Sequence, residues 1–82
     1  MIMMNNLEKL NQAFVDAFSV DVKYLKDLVY NGVSSWDSVG QMVLIANLED
    51  AFDIEIESED IMNINSYKAA ILILMRKYNI LF

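Results

Sequence analysis

Nothing in this chain stops a helix for long. It contains no proline, and its two glycines stand at positions 32 and 40. With so few breakers and so many good helix formers, the expected fold class is all-α. The 82 residues suffice for one domain, taken as 1–82. A domain so small needs many apolar side chains to build a core. The apolar share is 56%, and with no cysteine that core has to hold without disulfides.

Caps and periodicity divide the chain into four helices, at about 5–18, 37–52, 58–63 and 66–78. Asn5 or Asn6 can cap the first, in which Leu7, Leu10, Phe14 and Phe18 recur at helical spacing beside Ala13 and Ala17. Asp37 suits the start of the second, where its charge also meets the positive end of the helix dipole. Ser58 can cap a short third helix, and Asn65 or Ser66 a fourth with Ala70, Ile71, Leu74 and Tyr78 along its core side. Residues 19–35 follow no period. They read as a long crossing loop with one helical turn near Lys23–Leu28, closed by Asn31-Gly32. Ile54-Glu55-Ile56 reads as an extended linker whose isoleucines plug the core.

The second helix carries an unusual pattern. At about 100° per residue, Leu44, Ile45, Leu48 and Phe52 fall on one side, while Val39, Met42, Val43 and Ala46 fall opposite. Four short helices can hardly bury both sides. Glu49, Asp50 and Asp53 lie on the side of the second set, one to two turns further along. An apolar centre with a charged rim is the anatomy of a protein-binding patch, and Ser38 stands at its N-terminal end.

Charge and residue types exclude several functions. Twelve acids against six bases leave a net charge of −6, which disfavours nucleic acid and anionic membranes; it suits basic protein partners, but on composition alone the simpler reading is that it keeps a small apolar domain in solution. Met1-Ile2-Met3-Met4 has neither the basic flank nor the long apolar core of a secretory signal. The longest apolar run, Ala69 to Met75, is too short to span a bilayer. Absence of cysteine fits a reducing, cytoplasmic setting. With no histidine, a serine nucleophile lacks its usual base, and Lys23 and Lys26 have no supporting motif. Asp50, Asp53, Glu55, Glu57 and Glu59 do not have the EF-hand spacing, so no metal site is expected.

Asp37-Ser38-Val39, followed by Leu48-Glu49-Asp50-Ala51-Phe52 and Ile54-Glu55-Ile56, resembles the acyl carrier protein family over roughly residues 5–78. The resemblance implies a four-helix fold with a long first loop and a short third helix. It implies that Ser38 carries a covalent phosphopantetheine arm, installed from coenzyme A by a phosphopantetheinyl transferase, with Asp37 as motif neighbour. Acyl groups would ride on the arm as thioesters, which suits a chain with no thiol of its own. Partner enzymes with basic patches would load and process the cargo, docking on the second helix, where the resemblance carries over Val39, Ala46, Glu49 and Asp50, with Glu55 and Glu59 as weaker contacts; periodicity adds Met42, Val43 and Asp53 to the same patch. The carrier itself would be a non-catalytic monomer of fatty-acid and lipid metabolism.

Trp36, Gly40, Gln41 and Val43 depart from the common fatty-acid pattern and make the front of the patch less acidic. A Trp-Asp-Ser-x-Gly start resembles carriers of specialised pathways. Gly40 costs a helix about 1 kcal/mol relative to alanine, which suggests close approach by cofactor or partner. The alternatives are a carrier of aminoacyl, polyketide or surface-polysaccharide precursors on the same scaffold, and a non-covalent acidic adaptor.

Overall fold

A computed structural model describes residues 3–82; Met1 and Ile2, from the apolar opening tetrapeptide, lie outside them. The described chain is mostly helical and without strands. Its α-helices are α1 (Asn6–Phe18), α2 (Ser38–Phe52), α3 (Ser58–Ile61) and α4 (Tyr67–Tyr78), and a 3-10 helix spans Val22–Asp27. No helix among the described residues is long and apolar enough to cross a membrane.

The helix starts follow the polar residues that precede them. Asn5 accepts the N–H of Glu8, whose carboxylate takes the N–H of Asn5 in return, forming a closed capping box. Asp37 accepts the N–H of Gly40 at 2.8 Å, and Ser66 that of Ala69 at 2.9 Å. Ser58 does not act as a cap: it is the first residue of α3, Glu57 precedes it, and no side chain caps the helix. This helix is also shorter than the sequence suggests, ending at Ile61 rather than 63. One turn cannot sustain itself, so α3 depends on what its side chains reach.

The core is aromatic at one end and aliphatic along its length. Phe14 and Phe18 of α1 meet Trp36, Phe18 stacking on the indole at 4.7 Å and Phe14 meeting it edge-on at 5.6 Å. Tyr67 closes on Phe14 at 5.2 Å. Leu10, Leu44, Leu48, Ala70 and Leu74 fill the rest, with Ile56 plugging in from the linker as its alternation suggests. Leu7 departs from the expectation. It is exposed although it shares the side of Leu10, Phe14 and Phe18, because it lies in the first turn of α1, ahead of the buried stretch that begins at Leu10.

The long first loop packs on this core rather than hanging free. Leu25 and Leu28 are buried, while Val22, Tyr24 and Val29 face solvent. Its backbone groups find partners in the start of α4: Tyr67 N–H donates to the Leu28 carbonyl and Tyr30 N–H to that of Asn65. Such pairing removes the cost of an unsatisfied loop backbone. Asn31 takes the left-handed conformation there, with φ of 64°, as the turn requires.

Three groups tie α3 to α4. Asp60 is 3% exposed; it accepts from Lys77 Nζ at 2.8 Å and from the Tyr78 hydroxyl at 2.7 Å. Glu57 N–H donates to the same hydroxyl. The Lys77 ammonium holds the Asp60 carboxyl below its ordinary range against an opposing push from burial, and the Tyr78 hydroxyl helps. A carboxyl whose folded pKa is depressed stabilises the fold above its unfolded pKa, and that stability is lost as pH falls through the folded value. Wild type will therefore lose stability as pH falls below the usual aspartate range, and Asp60→Asn will flatten that acid limb in urea titrations run at successive pH values. An unchanged limb would show the clasp to be energetically idle.

Candidate functional site

Residues 33–41 assemble the site, and burial of one side chain sets it. Trp36 is fully buried. With residue 36 sunk in the core, Asp37 and Ser38 emerge at the surface, where α2 begins. The approach to them is strapped down. Trp36 N–H donates to the Val33 carbonyl, Asn31 N–H to the Trp36 carbonyl, and the Ser35 hydroxyl to the carbonyl of Phe18 at 3.0 Å. Ser38 is thus an exposed residue on a hydrogen-bonded support. Asp37 spends one carboxylate oxygen on the helix cap.

Gly40 is needed by the chain itself. A Cβ at this position would stand 2.0 Å from the Ser35 carbonyl oxygen and 3.1 Å from the Phe18 ring. The close approach that the sequence suggests for a cofactor or partner is an internal one, between the first turn of α2 and the strap before it.

The two-sided character of α2 is real. Leu44, Ile45 and Leu48 are buried and Phe52 half-buried, whereas Val39 is 72% and Met42 54% exposed, with Val43 and Ala46 open beside them. The acids flank this patch unequally. Asp50 is exposed on the α1 side, near Lys9 and Asp16. Glu49 is half-buried on the other, where its Oε2 accepts the Ile56 N–H at 2.9 Å and so holds the 53–56 linker. Asp53 ends the helix in the left-handed conformation, φ 52°, with its side chain exposed. Glu49 therefore has a structural duty besides any docking role, while Asp50 and Asp53 have solvent-facing carboxylates.

Beside Ser38 lies a cleft of about 360 Å³. Ser38, Gln41 and Met42 form its α2 wall; Ile61, Met62 and Ile64 form the opposite wall, with Tyr30 and Asn65 completing the lining. Its surface is largely apolar. Gln41 is the polar exception, and it is 7% exposed. Its Oε1 accepts the Trp36 indole N–H at 2.6 Å, and its Nε2 donates to the carbonyls of Ile61 at 2.6 Å and Ile64 at 2.8 Å. No buried side-chain polar atom among the described residues lacks a partner. The signal for this network lies in the sequence: Gln41 falls on the apolar stripe with Leu44, Ile45 and Leu48, and a polar side chain there demands partners.

A second acidic group lies apart from Ser38. The carboxylates of Glu57, Glu59 and Asp60 come within 4.8 Å of one another. The Lys77 ammonium sits among them, 3.0 Å from Glu59 and 2.8 Å from Asp60, and supplies the positive charge that a cation would bring.

The chain offers no imidazole or thiol, and no lysine lies in the lining of the cleft beside Ser38. Set against protein-family models and against curated proteins, the chain matches none.

Proposed function

We propose that this chain is an acyl carrier protein of the four-helix, long-first-loop type: Ser38 bears a phosphopantetheine arm, and partner enzymes dock on the exposed face of α2. The observation that carries this reading is the place of Ser38. This exposed residue stands where a solvent-facing apolar patch meets the mouth of an apolar cleft. A transferase or loading enzyme can grip Val39, Met42, Val43 and Ala46, while Asp50 and Asp53 meet its basic side chains.

The residues present suit the proposed group. The positive end of the α2 dipole favours a phosphate linked to Ser38, while Asp37 already takes the Gly40 and Gln41 N–H groups. Asp37 holds that first turn in shape, and Gly40 lets it pack against Ser35. The arm would supply the thiol that this chain lacks, for thioester formation. The protein's own residues hold the serine outward, keep the first turn rigid and offer an apolar recess to the cargo. Trp36, Gly40 and Gln41, which depart from the common fatty-acid pattern, lock the segment around Ser38 together by internal contacts; the proposal of a specialised pathway rests on the sequence pattern alone.

Coexpression with a broad-specificity phosphopantetheinyl transferase tests the reading. Intact mass spectrometry is expected to show addition of one phosphopantetheine to wild type and none to Ser38→Ala. Absence of the addition in wild type, or equal addition in both, would overturn the assignment and favour a non-covalent acidic adaptor.

A further inference from the structure

We infer that Gln41 is the specificity-determining residue of the cleft, pinning the α3 wall so that only short and medium acyl chains are accommodated. The inference rests on the carrier reading and concerns what the carrier can shelter.

Gln41 stands one turn after Ser38 and forms part of the cleft lining. Both of its amide hydrogens are committed to carbonyls of the opposite wall, those of Ile61 and Ile64, which bracket Met62. Its oxygen is committed to the buried Trp36 indole. That wall has little support of its own, being one helical turn and the residues after it. Ile64 anchors it in the core and Asn65 pairs with Tyr30; its polar ties are Gln41 at the end of α3, and Asp60 with Lys77 and Tyr78 toward α4.

Two consequences follow for an apolar chain entering from Ser38. The available volume of about 360 Å³ is near the small end of the roughly 300–1,000 Å³ typical of ligand pockets. To go deeper, the chain must push the α3 wall outward and pull the Ile61 and Ile64 carbonyls off Gln41. An apolar tail restores none of these bonds, and buried polar groups left unpaired are costly. The amide is thus a polar stop at the inner limit of the recess. A chain that fits above it gains burial; a longer one has to leave its end in water or break the tie.

The test loads wild type and two variants with butanoyl, octanoyl, dodecanoyl and hexadecanoyl phosphopantetheine, using a broad transferase and the corresponding acyl-coenzyme A, with adenosine 3′,5′-bisphosphate leaving. Loading is verified by intact mass, and melting is compared with that of the unacylated, arm-bearing form. In Gln41→Met the side chain keeps its length and loses all three bonds. In Gln41→Glu it keeps an acceptor for Trp36 and loses the donors to α3. In wild type, stabilisation is expected to reach about 4–8 °C at octanoyl, the span that corresponds to a modest gain in a domain of this size, and to grow no further with dodecanoyl or hexadecanoyl. In both variants the maximum is expected to move to the longer chains. A wild-type profile that keeps rising to hexadecanoyl overturns the inference, whatever the variants do, so poorly folded variants cannot shelter it. Variants that load and fold yet keep the wild-type profile also overturn it. Wild type that accepts no arm at Ser38 removes the carrier reading and this inference together; normal loading with the wrong length profile removes this inference alone.

Discussion

Gly40→Ala is expected to destabilise the domain by about 3 kcal/mol, the upper end of the usual cost of overpacking. Helix propensity alone predicts the opposite sign, a gain of about 1 kcal/mol from replacing a glycine inside a helix. Tertiary contact wins because the new methyl group would stand 2.0 Å from the Ser35 carbonyl oxygen. That atom belongs to the backbone and is not the far end of a flexible side chain. Relief requires the strap at 33–36 to move, and that strap carries Trp36 and leads into Asp37 and Ser38. A domain of this length has a total stability of about 4–12 kcal/mol, so the loss is a large fraction of it. Urea denaturation monitored by circular dichroism will read the effect as a lower midpoint. A midpoint equal to or above that of wild type would mean that the approach of α2 to Ser35 is looser than described. The arm-accepting capacity of the remaining folded fraction should fall as well, since the same movement displaces the turn that presents Ser38.

Trp36→Ala is expected to have the largest effect of any single substitution. Removing a buried indole costs about 3–5 kcal/mol from lost packing and the cavity left behind. The cavity would open between Phe14, Phe18 and Tyr30, whose rings all contact the indole. Loss of the indole N–H also leaves the buried Gln41 oxygen without its donor, a cost of about 1–3 kcal/mol when no water replaces it. Thermal melting should find little cooperative unfolding left. Trp36→Phe separates the two contributions: it restores much of the ring packing but no donor, so its melting temperature should lie between those of wild type and Trp36→Ala. A Trp36→Phe protein as stable as wild type would show that Gln41 needs no partner, and would weaken the argument that its amide fixes the α3 wall.

Much of the helical layout was legible because it rests on local chemistry. Asn5, Asp37 and Ser66 cap the helices they precede, since a short polar side chain satisfies first-turn N–H groups wherever the helix is placed. The two sides of α2 follow from 3.6-residue periodicity, which needs no knowledge of the partner helices. Ser58 misled for a related reason: capping residues mark candidate starts, and α3 takes its position from ties that Asp60 and Gln41 make to distant elements. Leu7 misled because periodicity tells which residues share a side but not how far along a helix its neighbour extends.

The candidate site divides in the same way. Ser38 at a helix start, the apolar patch behind it and the acids further along are consequences of order and spacing in the chain. The apolar cleft, the duty of Glu49 in holding the linker and the reason for Gly40 are not, because each depends on residues brought together from separate segments. Gln41 meets carbonyls 20 and 23 residues away, and Gly40 meets a carbonyl from the loop before its own helix. Local sequence specifies hydrogen bonds within a turn and the period of a helix. Distances between segments are set only when the whole core closes, around the indole of Trp36, and that closure makes an exposed serine the mouth of a recess.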